Sequence, residues 1–208
     1  MRRRSDELIA ALAADARPVA RLQPPMVRAA GWLALLVGLS ALAVVLWADV
    51  PDVLKRNAGA RPICAWAASL LTGATAIVAA ANLSIPDRSR WWAAAPLPFL
   101  VLWIALSGIG CLGVDPRSQG DSGMCFMFII AVGAPFTGFL LWRLQRAHPW
   151  DAKLTAATGA LGAAGLSAAL LQFFHPFTIT FMDLGAHLAA AAVVVLGGMA
   201  VGQFTGRQ

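Results

Sequence analysis

Charged residues are clustered along this chain, and six long stretches between the clusters carry no Asp, Glu, Lys or Arg. These are Ala29–Ala48, Pro62–Pro86, Trp91–Val114, Ser122–Trp142, Leu154–Met182 and Leu184–Thr205. Each has at least 20 residues, and a helix of that length, rising about 1.5 Å per residue, crosses about 30 Å of hydrocarbon. One charge at mid-span opposes insertion by about 2.5–3.5 kcal/mol, whereas each Leu, Ile or Phe contributes only about 0.3–0.6. A soluble bundle would need a polar stripe on every helix, and none of the six stretches has one. The pattern predicts an all-α polytopic membrane protein, a bundle of six transmembrane helices. The expected spans are 27–48, 62–83, 91–112, 123–143, 153–173 and 184–205, giving a transmembrane domain over 26–208 and a short N-terminal segment over 1–25.

Composition agrees with the pattern. Of 208 residues, 59% are hydrophobic and 12% charged, about half the charge of an ordinary soluble domain. The basic residues then set orientation. With six spans both termini share a side, which receives twelve Lys and Arg residues against four on the other. Positive charge stays inside, so both termini are expected in the cytoplasm. The pI near 10.6 follows from this bias, and no direct contact with nucleic acid is expected. Met1–Arg4 resembles the start of a signal peptide, but polar and amphipathic sequence separates it from a first span too long for an h-region. No cleavage is expected there.

The N-terminal segment predicts one short amphipathic helix. Ser5 is placed as its cap, Asp6 and Glu7 in its first turn, and Pro18 as its stop. Leu8, Ile9 and Leu12 share a face. A twelve-residue helix is marginal alone, so it needs either the surface of the lipid bilayer or a soluble partner. The connections between spans are short. The run Phe174-His175-Pro176-Phe177 reads as an outer turn, after which Asp183 opens the last helix. Most tryptophans fall at expected interfaces, with Trp103 near mid-span. Gly159, Gly162, Gly165, Gly198 and Gly202 predict close helix contacts.

The topology gathers reactive side chains near the outer face: Cys64, Cys111, Cys125, His175, Asp183 and His187. An oxidising compartment would permit a Cys111–Cys125 disulfide. Each thiol could equally be a small packing residue. His175, His187 and Asp183 are weak candidate metal ligands; His187 with Asp183 could instead be a hydrogen-bonded pair at a helix start. There is no CxxC or HExxH motif, no cofactor is expected, and at most a heavy-metal ion would visit the cysteines transiently. An enzyme is not expected. A small transporter or metal-handling protein is the alternative, but uncharged span centres disfavour a conduit.

Asp6-Glu7-Leu8-Ile9, Leu12-Ala13, Asp15, Arg17-Pro18-Val19, Arg21-Leu22 and Pro24-Pro25 resemble the opening of the NrsF family of bacterial membrane anti-sigma factors. Ser84-Ile85-Pro86, Arg88-Ser89-Arg90, Pro96-Leu97-Pro98, Gly110-Cys111, Cys125-Phe126, Phe128-Ile129, Phe174-His175-Pro176 and His187-Leu188 continue the likeness in order. Cys64 lies outside it. The resemblance implies an inner-membrane protein that sequesters an extracytoplasmic-function sigma factor through its N-terminal segment. Asp6, Leu8, Ile9, Leu12, Asp15, Arg17 and Arg21 would form the binding face. A periplasmic heavy metal or oxidant, sensed at Cys111 and Cys125, would release the partner.

Overall fold

A computed structural model describes residues 2–15, 23–112, 122–145, 149–174 and 180–205. Among these residues every regular element is helical. The elements are α1 (Arg2–Ala14), α2 (Pro25–Trp47), α3 (Val50–Arg56), α4 (Ala60–Leu83), α5 (Leu97–Cys111), α6 (Ser122–Gln145), α7 (Ala152–Leu171) and α8 (Phe181–Thr205), with a 3-10 turn at Arg90–Ala94 before α5. Six stretches are long and apolar enough to cross a membrane: α2, α4, α6, α7, α8, and α5 together with its 3-10 lead-in. Their bounds lie within three residues of the expected spans.

The local signals are legible at several helix ends. Pro25 occupies the first position of α2, where a missing N–H is harmless. Asp151 caps α7, its Oδ1 accepting from Leu154 N at 2.9 Å. The N-terminal helix departs from expectation. It begins at Arg2, so Ser5 lies inside it, and its first turn holds no acidic residue. Arg is a good helix former, and three of them carry the helix through the position assigned to the cap. The first outer connection also contains α3, an unpredicted helix capped by Asp49, whose Oδ1 accepts from Asp52 N.

α7 lies at the centre. In its spanning stretch 72% of residues are buried, against 17% in α2 and in the α5 stretch. It packs against α4, α6 and α8, while α5 rests mainly on α4 and α2 lies outside α4. Small residues make these contacts close. A Cβ at Gly165 would stand 3.0 Å from Gly73 N and 3.1 Å from Gly73 Cα. Ser69 Oγ donates to Gly165 O at 3.0 Å, and Trp66 Nε1 donates to Ala169 O at 3.1 Å. These two bonds stitch α4 to α7 where neither helix has a backbone donor to spare. Large apolar side chains such as Val45, Leu46 and Val101 face outward, the surface that a hydrocarbon solvent requires.

The helices alternate in direction. Pro25, Leu83, Gln145, Ala152 and Thr205 therefore mark one end, called here the terminal end. Trp47, Ala60, Cys111, Ser122, Leu171 and Phe181 mark the distal end.

Candidate functional site

Two regions carry the residues singled out from the sequence. The first is α1. Leu8, Ile9 and Leu12 are 61%, 64% and 65% exposed, and Asp6 and Asp15 are exposed beside them. No described element packs extensively on this helix. Three large apolar side chains on one polar-flanked helical face form a surface that another macromolecule or a lipid face can cover. Arg17 and Arg21 lie outside the described residues.

The second region is the distal end. Thr180 precedes α8, and Asp183 is its third residue. Thr180 N donates to Asp183 Oδ2 at 2.9 Å, and Asp183 N donates back to Thr180 Oγ1 at 3.3 Å. This reciprocal arrangement is a capping box. The Thr180 hydroxyl also donates to Oδ2 at 2.9 Å. Ser122, the first residue of α6, donates from Oγ to Asp183 Oδ1 at 2.7 Å. Asp183 is fully buried, so its carboxylate replaces hydration with these donors. One residue thus begins α8 and ties it to α6.

Cys111 and Cys125 lie close to this knot. Cys125 stands three residues beyond Ser122, buried with Ile129, Leu171 and Ala190 from α6, α7 and α8. Cys111 ends α5, is buried, and donates from Sγ to Ser107 O at 3.2 Å. The Asp183 carboxylate and the Arg61 guanidinium both lie within electrostatic range of its thiol. Arg61 reaches across α5, where Nη1 donates to Leu106 O at 3.4 Å. Gly110 leaves room for it: a Cβ there would fall 1.7 Å from Nη1. All three cysteines are free thiols, and Cys64 is exposed.

His187 follows Asp183 by one helical turn and is buried, its ring 6.4 Å from that of Trp103 between centroids. Both border a cavity of about 30 Å³, with Ser69 and Thr72 on its wall. His175 lies outside the described residues. Among the described residues no three His, Cys, Asp or Glu side chains gather closely enough to hold a metal ion. Asp183 is committed to the α6–α8 join, which leaves it poorly placed as a ligand.

Sequence reasoning missed Ser122, Thr180 and Arg61. Thr180-Phe181-Met182 is followed by Asp183, three residues after Thr180 and ahead of an apolar run, so the capping box was readable. The Ser122–Asp183 bond and the Arg61 crossing depend on which helices meet, and no local signal carries them.

Comparison with known proteins places this geometry. A family described as Negative regulator of sigma F, NrsF, matches residues 12–207. The anti-sigma-F factor NrsF of Caulobacter vibrioides (strain NA1000 / CB15N) is 30% identical over 213 aligned residues, which cover 95% of this chain and 96% of that protein. No solved structure matches.

Proposed function

The chain belongs to the NrsF family of negative regulators of sigma F, and from that premise we propose that it is a membrane-bound anti-sigma factor for an extracytoplasmic-function sigma factor. Membership argues for a regulatory role, without catalysis. The termini face the cytoplasm, and residues 1–25 hold the sigma factor there, away from RNA polymerase. A heavy metal or oxidant reaching the periplasmic end acts on Cys111 and Cys125 and releases it. A metal ion at the thiols would be a passing signal, not a resident cofactor.

The observation that carries this reading is the exposed face of Leu8, Ile9 and Leu12. Such a face, flanked by Asp6 and Asp15, suits a groove with apolar pockets and basic rims. Arg17 and Arg21 would add charge contacts just beyond it. The distal chemistry fits the sensing half. Cys125 is packed among three helices, so a ligand or oxidised product on its sulfur must displace α6 from α7 and α8. The Ser122–Asp183 bond lies one turn away and would register that displacement. Moving the partner from about 99% held to about 1% held takes a difference of roughly 5.5 kcal/mol. Thiol oxidation and metal ligation release energies of that order.

The test is capture of soluble partners from the native host on detergent-purified full-length protein. The same capture with Leu8→Asp and Leu12→Asp supplies the comparison. A sigma factor retained by the native chain and lost from the variant is expected. Equal retention by both would remove the docking role of α1; no sigma factor on either would remove the anti-sigma reading for this chain.

A further inference from the structure

At the terminal end, α2, α4 and α6 leave a groove of about 620 Å³ that the anti-sigma role does not use. Two guanidinium groups line it, Arg28 from the first turn of α2 and Arg143 near the end of α6. Its deeper wall is apolar, built from Trp32, Leu35, Phe139 and Leu140. Trp32 and Phe139 meet edge to face at 4.7 Å between centroids.

The charge in this groove is uncompensated. No acidic residue lines it, and among the described residues neither arginine makes an ion pair. Arg28 is held in place: Nη2 donates to Ala81 O at 3.2 Å and to Ser84 Oγ at 2.9 Å. Its buried Nε has no hydrogen-bond acceptor among the described residues. Neutral acceptors therefore orient the cation but leave its charge standing, in the same groove as that of Arg143. Two like charges at the edge of a low-dielectric bundle favour an anion between them.

The position says which anion. Both arginines sit near the terminal ends of their helices, which six membrane spans would put at one membrane surface, and the apolar wall continues from them along α2 and α6. We propose that the groove binds an anionic phospholipid from the leaflet on the side of the chain termini. The phosphodiester would sit against Arg28 and Arg143, and an acyl chain would run past Trp32 and Phe139. Basic pockets between transmembrane helices take anionic headgroups in this manner, and the fork of arginine suits phosphate oxygens. The proposal is independent of the anti-sigma reading and needs no sigma factor.

The experiment is thermal unfolding of the full chain in neutral detergent, titrated with phosphatidylglycerol or with phosphatidylcholine. Phosphatidylglycerol is expected to raise the midpoint saturably, with phosphatidylcholine giving no comparable rise. Arg143→Gln is expected to weaken the apparent affinity for phosphatidylglycerol at least threefold, with the lipid-free midpoint kept. Arg28→Gln should weaken it further, although this change also removes the tie to α4. Arg88→Gln, which does not line the groove, should bind as the native chain does. An equal response to both lipids, native affinity in Arg143→Gln, or a matching rise with glycerol 3-phosphate alone would each overturn the proposal.

Discussion

Ser122 and Asp183 join the starts of two helices through one hydrogen bond of 2.7 Å, with the Asp183 carboxylate fully buried. Because Asp183 also supplies the carboxylate half of the capping box of α8, its loss removes that half of the box and an interhelical tie together, while the backbone N–H at 183 still donates to Thr180 Oγ1. A cap is worth about 1 kcal/mol, and a hydrogen bond to a charged group about 1.5–3. Asp183→Ala is therefore expected to destabilise the bundle by roughly 2.5–4 kcal/mol, against about 1.5–3 for Ser122→Ala. Chemical unfolding in detergent measures both. The double variant should be less destabilised than the sum, since each is the other's partner; strict additivity would mean that the bond contributes nothing.

Gly165 and Gly38 separate packing from helix propensity. A methyl at Gly165 would press on the backbone of Gly73 and, at 3.3 Å, on Ser69 O, none of which can rotate away. Gly165→Ala is expected to destabilise by roughly 1–3 kcal/mol through overpacking. Nothing lies within 4 Å of the corresponding position at Gly38, so Gly38→Ala should be neutral or slightly stabilising. The comparison of unfolding midpoints decides it, and equal effects at both sites would contradict the tight α4–α7 contact.

Asp151 provides a pH signature at the terminal end. The Leu154 N–H holds its carboxyl below the usual carboxylate range, and Arg90, which forms an ion pair with it, adds to the effect over a partial opposition from burial. A depressed folded pKa stabilises the protein above the ordinary value near 3.9. That contribution is lost as pH falls through the lower folded value. The native chain should thus lose stability on acidification below about pH 4. Asp151→Asn retains a capping side chain but not the charge, so it should be less stable than the native chain at pH 7, show a flatter acid slope, and converge with the native chain at low pH. An unaltered slope in the variant would assign the acid sensitivity to other carboxylates.

The bundle was legible because insertion energetics act on whole segments. A single charge outweighs several leucines, so uncharged runs lead to spans within three residues of the six long apolar helical stretches. The short pieces escaped the same logic. α3 and the 3-10 turn at Arg90–Ala94 are too brief to show a period, and they form where caps and interfaces allow. The start of α1 was misplaced because a Ser before two acids looks like a cap whatever precedes it. The distal cluster was legible only as a depth. Topology placed Cys111, Cys125, Asp183 and His187 at one end, but the partners of each depend on α7 holding α4, α6 and α8 together. Arg28 and Arg143 illustrate the same limit. In sequence they count as topology signals, and only the packing of α2 against α4 brings them to one groove.

The three cysteines should respond differently to chemistry at the distal end. Cys111 and Cys125 are buried, whereas Cys64 is exposed near the start of α4. Replacing Cys125 by Ser keeps the size but sets a hydroxyl among Ile129, Leu171 and Ala190; Cys111→Ser retains the Ser107 carbonyl as acceptor. Neither change is large enough to block assembly of the bundle. A reporter driven by the sequestered sigma factor should therefore remain repressed at rest in both variants and lose most of its induction by cadmium or oxidant. Cys64→Ser should induce like the native chain. Full induction in both Cys111→Ser and Cys125→Ser would eliminate thiol sensing and turn attention to Asp183 and His187. Loss of induction in Cys64→Ser alone would place the sensor on α4, away from the α6–α8 join.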